Sequence, residues 1–208
     1  LNKILEFNNT AGYFNFNDDV NITGLLTTTG TINGVTISSS TVGNYNQSLV
    51  YEPIYKDGVI NKDGSNNFGT LESLYVDVDG AGGANNVNYY KWSTLQASLQ
   101  DIDVVLRVTL PEGFSSWQSP PVQFTYKTED TNTANNKLDV SIEDTSGTSV
   151  TLSGASSLAA SSFTTGNITF SGSPTWTAGQ AITIKIKLSA LSSGAAYAGK
   201  LKLNYVGR

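Results

Sequence analysis

The sequence predicts an all-β fold, and three features carry that expectation. Apolar and polar residues alternate strictly, most cleanly in Ile182-Thr183-Ile184-Lys185-Ile186-Lys187-Leu188. A strand sends successive side chains to opposite faces, so this pattern suits a half-buried strand. Ser, Thr, Asn and Gly dominate the polar positions while charged residues make up only 14%. That mixture suits turns and open strand faces better than helices. Finally, Gly, Pro, Ser and Asn clusters punctuate the apolar runs, as hairpins and sandwich corners require.

Residues 1 to 47 form the first region. Ile4-Leu5-Glu6-Phe7 and Tyr13-Phe14-Asn15-Phe16 flank the turn-like Asn8-Asn9-Thr10-Ala11-Gly12, a plausible hairpin. After Asp19 no charge interrupts Val20 to Ile37, and Gly24, Gly30 and Gly34 separate short runs of Val, Ile, Leu and Thr. A segment this thin cannot close a core alone. The expected assembly residues are therefore Ile4, Leu5, Phe7, Phe14, Phe16, Val20, Ile22, Leu25, Ile32, Val35 and Ile37, which need cover from other subunits. Ser38 to Asn44 reads as a linker.

The run Tyr13-Phe14-Asn15-Phe16-Asn17-Asp18-Asp19-Val20-Asn21-Ile22-Thr23-Gly24, followed by Thr29-Gly30-Thr31-Ile32-Asn33-Gly34, resembles the β-repeat shafts of phage tail-fibre and bacterial surface-fibre proteins. The resemblance implies a homotrimer and a place on a virion or cell surface. An exposed N-terminal strand at residues 3 to 7 also suits donor-strand pairing, which would build a head-to-tail polymer.

Residues 48 to 208 read as one β-domain with eight expected strands: 72–79, 101–110, 122–128, 137–144, 149–153, 167–171, 181–188 and 200–206. Ile102, Val104, Leu106, Val108 and Leu110 form one inward set, and Leu138, Val140 and Ile142 another. Val122, Phe124 and Tyr126 form a third, and Leu201, Leu203 and Tyr205 close the domain. Turns are expected at Pro111-Glu112-Gly113, Ser119-Pro120-Pro121, Thr145-Ser146-Gly147, Ser171 to Pro174 and Ser192-Ser193-Gly194. Eight strands favour a jelly roll over an immunoglobulin-like sandwich, whose Cys–Trp–Cys framework is absent. Trp92, Leu95 and Leu99 fall at helical spacing, so Lys91 to Leu99 is either a short helix or a loop.

The composition restricts the chemistry. The chain has no His and no Cys, which removes the common proton shuttle, the thiol nucleophile and the thiolate metal site. Ser and Thr lack a base to activate them, and no enzyme is expected. Asp101 and Asp103 share a strand face roughly 7 Å apart, but Arg107 follows on that face and a solvated ion-pairing row explains all three. Glu129-Asp130 and Glu143-Asp144 read as solubilising strand ends. A net charge of −5 opposes nucleic-acid binding. Lys185, Lys187, Lys200 and Lys202 form the nearest thing to a basic cluster and read as a solvated face. No apolar run reaches the ~20 residues of a membrane helix.

No cofactor is expected. Asp63, Asp77 and Asp79 sit in loop-like sequence and are the candidates for a structural calcium, although plain turn chemistry explains them as well. Tyr89, Tyr90 and Trp117 are the candidate glycan contacts; the bland alternative is that Trp92, Trp117 and Trp176 cap the ends of the core. The absence of Met, even at position 1, points to a chain cut from a longer precursor, which fits export, or to a trimmed chain. Asn8, Asn21, Asn46 and Asn167 head glycosylation sequons. The expected function is an extracellular, self-assembling fibre subunit, trimeric or polymeric. A glycan-binding module working as a monomer is the competing expectation.

Overall fold

The computed structural model describes residues 44–63, 66–77, 86–172 and 174–208. They form eleven strands and, among the described residues, no helix. In chain order these are β1 Tyr45–Tyr51, β2 Val59–Asn61, β3 Thr70–Asp77, β4 Asn86–Ser93, β5 Gln100–Thr109, β6 Phe114–Thr128, β7 Asn136–Glu143, β8 Leu152–Ser153, β9 Thr164–Phe170, β10 Ala181–Ala190 and β11 Ala195–Gly207.

Two antiparallel sheets result. The larger runs β3-β4-β11-β6-β9-β8, with β1 also on β11; the smaller runs β2-β5-β10-β7. Strands β4 and β1 share one side of β11 end to end, β4 beside Ala195–Ala198 and β1 beside Leu201–Gly207. From β4 onward the chain changes sheet at each long strand, giving β4-β11-β6-β9 over β5-β10-β7. That alternation is jelly-roll order.

The alternating runs supply the core. Ile102, Val104, Leu106 and Val108 on β5 and Ile182, Ile184, Ile186 and Leu188 on β10 are all buried, facing Val122, Phe124, Ile168, Leu201 and Leu203 of the larger sheet. Each such side chain contributes about 1.5–3 kcal/mol on leaving water. Leu110 joins them, and Leu138, Val140 and Ile142 do so from β7. Tyr126 is only half buried, against Gly166.

Several expectations need correction. Lys91–Leu99 is not helical: β4 continues to Ser93, with Tyr90 and Trp92 inward and Tyr89, Lys91 and Ser93 outward. Leu95, helically spaced from Trp92, is 95% exposed. Thr94 Oγ1 donates to the Phe68 carbonyl and accepts from Gln96 N at 3.1 Å, which turns the chain out of the sheet. Ser119-Pro120-Pro121 is no turn, because β6 runs straight through it. The ladder to β11 is irregular there, and side chains bridge the break: Gln118 Nε2 donates to Tyr205 O at 2.6 Å and Asn204 Nδ2 to Pro120 O at 2.9 Å. Strand β1 pairs with β11 from Tyr45 on, so a boundary at residue 48 would cut through it. The expected strand 200–206 is the second half of a longer one.

The turns expected at 111–113, 145–147 and 192–194 are present, while 171–174 includes a residue outside the described ones. Phe114 N donates to Pro111 O at 2.9 Å, and Gly194 N to Leu191 O at 2.9 Å. At Thr145-Ser146-Gly147, Asp144 Oδ1 accepts from Ser146 N, Ser146 Oγ and Thr148 N, while Gly147 takes a φ of +79° that favours glycine.

Candidate functional site

The expected assembly residues Ile4, Leu5, Phe7, Phe14, Phe16, Val20, Ile22, Leu25, Ile32, Val35 and Ile37 lie outside the described residues, as does Asp79.

The outer face of the smaller sheet gathers the most charge. β2, β5, β10 and β7 bring Asn61, Asp103, Lys187 and Asp139 into one cross-strand row. Lys187 Nζ lies 3.0 Å from Asp101 Oδ2, 3.3 Å from both oxygens of Asp63 and 3.6 Å from Asp103 Oδ1. The last is a charge contact too long for a hydrogen bond. Burial is the largest influence on Lys187 and opposes its charge; hydrogen bonding to Asp101 and the nearby carboxylates outweigh it and raise its pKa far above the ordinary lysine value.

Asp103 departs from its expected solvated place. It is 3% exposed, flanked by β2 and β10, and Oδ1 has no hydrogen-bond partner among the described residues. Burial raises its pKa, with the Lys187 charge pulling the other way. Arg107 stays exposed further along the strand.

The described calcium candidates stand apart from each other. Asp63 sits beside the smaller sheet on Lys187, whereas Asp77 ends β3 of the larger one. Among the described residues no group of three or more His, Cys, Asp or Glu is arranged to hold a metal ion. The lysines are not one cluster either. Lys185 pairs with Glu143 at 2.9 Å and Lys200 with Glu52 at 3.6 Å, on different sheets. Glu129-Asp130 does more than solubilise: Asp130 organises a turn with Asn132, Asn135 and Asn136, and hydrogen bonding, first from Asn135, lowers its pKa.

The expected glycan contacts separate. Tyr89 and Tyr90 are neighbours on a strand and face opposite ways. Tyr90 is 5% exposed, its hydroxyl accepting from Tyr55 N at 3.1 Å, so it belongs to the core. Tyr89 packs on Phe163 and Tyr197, with centroids 5.3 and 5.6 Å away and rings tilted by 50° and 59°. Lys127 caps Tyr197 at 4.9 Å from its centroid, and the Tyr197 hydroxyl donates to Glu129 Oε2 at 2.8 Å. Burial, then that bond, pushes the Tyr197 pKa well up. The rings lean into one another instead of lying flat for a sugar to stack on. Sequence reasoning missed Tyr197 and Phe163; their only signal was an aromatic amid small residues.

Trp117 caps the core, joining Phe114, Phe170 and Trp176 at centroid distances of 5.1, 5.3 and 6.0 Å in edge-to-face contacts. A cleft of about 230 Å³ opens between Trp117, Phe170, Pro174 and Trp176 with Ser115 and Ser116 beside it. Because Trp117 is packed, Trp117→Ala should lower stability by about 2 kcal/mol in urea denaturation, with Trp117→Phe losing less than half of that. An unchanged midpoint in Trp117→Ala would remove it from the core.

A larger groove of about 780 Å³ lies near the start of β11, between Phe68, Leu95, Lys91, Glu129 and Tyr197. More distinctive is where exposed apolar side chains sit. Tyr45, Val50, Ile54, Val59, Ile60, Phe68, Leu74, Tyr75 and Leu95 are the large ones strongly exposed among the described residues. All fall between positions 45 and 95.

Comparison of the sequence with family models and with curated proteins gives no match. Among solved structures the chain is similar to TmCBM61 in complex with beta-1,4-galactotriose, at 11% identity and a TM-score of 0.34, over 69% of this chain and 91% of that one. A likeness so distant says nothing about function.

Proposed function

We propose that this chain is a non-enzymatic, extracellular assembly module, the subunit of a fibre or filament whose N-terminal segment and sandwich associate with further copies. The observation that supports it most is the one-sided apolar surface. Among the described residues, the nine strongly exposed large apolar side chains all come from β1 to the loop after β4, and none from the longer stretch beyond Leu95. Soluble monomers rarely gather such residues on one side unless a partner covers them. The resemblance of residues 13 to 37 to fibre shafts points the same way. The charged clusters described above are closed on themselves as ion pairs and turns.

Sedimentation velocity tests the reading. The full chain is expected to sediment as an oligomer, and a chain lacking residues 1–43 as a monomer. A full chain that is monomeric at every accessible concentration overturns it.

The cleft beside Trp117 and Trp176 favours a second reading, glycan recognition. Its signature is saturable binding on a glycan array that Ser116→Trp abolishes while the unfolding midpoint stays fixed.

A further inference from the structure

We propose that the edge of β3 that no described strand covers accepts an extended strand from a second copy of this chain, and that the occupant is the uncharged stretch Val20–Ile37. The inference rests on the assembly reading and specifies its contact.

The two sides of the sandwich treat their edges differently. On the β7 and β9 side the edges are covered. Val140 N donates to Ala155 O at 2.7 Å, Leu138 and Leu158 exchange two main-chain bonds at 3.0 and 2.9 Å, and Val150 N donates to Ile142 O at 2.9 Å. Strand β8 pairs with the end of β9, and Ser171 N continues that contact to Thr151 O at 2.9 Å. On the other side β2 and β3 end their sheets, and no strand among the described residues pairs with their outer edges. Across the core β11 faces β10 and β7, and β6 faces β7, so β3–β4 and β2–β5 lie together. That is the side carrying the exposed apolar residues.

Of the two open edges, β3 suits an added strand. It runs eight residues, Thr70–Asp77, against three in β2. An edge of that length offers a row of unpaired amides and carbonyls, which natural proteins usually guard with Lys, Pro or a bulge. Strand β3 contains neither Lys nor Pro, and its pairing with β4 is regular throughout. Leu74 and Tyr75, 39% and 58% exposed, are successive residues and point to opposite faces. Both faces of an incoming strand would therefore find an apolar neighbour.

The occupant follows from chemistry. Glu72 is already paired with Lys91 at 3.8 Å, so an incoming strand needs no charge of its own. Val20–Ile37 is eighteen residues without a charge or a proline, rich in Val, Ile, Leu and Thr. Main-chain hydrogen bonds would provide the affinity, and the alternating side chains the register.

The experiment uses the full chain. Leu74→Lys/Tyr75→Lys places guards on exposed positions, Ile22→Asp puts a charge in the occupant, and Ser153→Lys is the control on the closed side. Near-UV circular dichroism should match wild type in all of them, whereas the unfolding midpoints of the edge and occupant variants should match that of a dissociated wild type. By sedimentation, the edge and occupant variants are expected to shift from oligomer to monomer while Ser153→Lys stays oligomeric. Hydrogen exchange of the β3 amides should be slow in the wild-type oligomer and fast in the edge variant. If wild type is oligomeric and either the edge or the occupant variant remains so, this inference fails while the assembly reading stands. A control that dissociates equally also overturns it, and a monomeric wild type ends both.

Discussion

Replacing Trp92 with alanine should destabilise the fold by about 4 kcal/mol, the largest loss expected from one side chain in this molecule. Trp92 is 1% exposed, on β4 between Leu71 of β3 and Ala196 of β11. Small side chains on β11 make room for the indole, and Gly69 presses against it: a Cβ there would stand 2.6 Å from Cζ2. The indole Nε1 donates to Gln100 O at 3.0 Å, and the Gln100 side chain accepts from Phe68 N and donates to Ser98 and Leu99. Truncation therefore opens a cavity and strips a partner from the bonded loop that carries the chain from β4 to β5. Trp92→Phe keeps most of the volume and should lose about half as much. Small domains hold only about 5–15 kcal/mol in total, so the alanine variant approaches unfolding. Urea midpoints with an unchanged m-value provide the measurement. A loss in Trp92→Ala below about 1 kcal/mol would contradict the packing described for it.

The same residue shows where sequence reading stops. Trp92, Leu95 and Leu99 are spaced as on a helix, yet Tyr90, Trp92 and their neighbours also alternate as on a strand. Pairing with β11, over a hundred residues later, decides the matter. Strands β5, β7 and β10 were legible because every second residue is large and apolar, so the period alone identifies the buried face. Strand β1 was not, since most of Tyr45–Tyr51 is exposed and shows no buried face. The first half of β11 was missed because Ala195–Ala198 are all buried, leaving no alternation to read. At the glycan candidates, composition identified the aromatic residues but not their directions. One residue of register separates a core tyrosine at 90 from an outward one at 89.

The charged row was misread for the same reason. Asp101 and Asp103 were legible as a strand face, but the lysine between them lies 86 positions beyond Asp101. Lys187→Met should destabilise by about 2–3 kcal/mol at neutral pH; buried pairs lose more when one partner goes, but Lys187 is a third exposed and screening reduces the effect. The pH dependence is the sharper prediction. The folded pKa of Lys187 is raised, so its stabilisation is complete below the ordinary lysine value and is lost only at strongly alkaline pH. Asp103 is also raised, so its ionised form weakens the fold, and the fold gains as pH falls. Without the ammonium, buried Asp103 loses the charge that opposes its protonation and faces Asp63 and Asp101 alone. The penalty of Lys187→Met should therefore be full at neutral pH and shrink as the pH falls toward the carboxylate range near about 4. Adding Asp103→Asn should restore part of the loss at neutral pH and almost none in acid, whereas alone it should change stability by less than about 1 kcal/mol. Denaturation of the four chains at the two pH values closes the cycle. A penalty that does not vary with pH, or a double variant no better than Lys187→Met, would show that Lys187 acts through its packed methylenes and not through its charge.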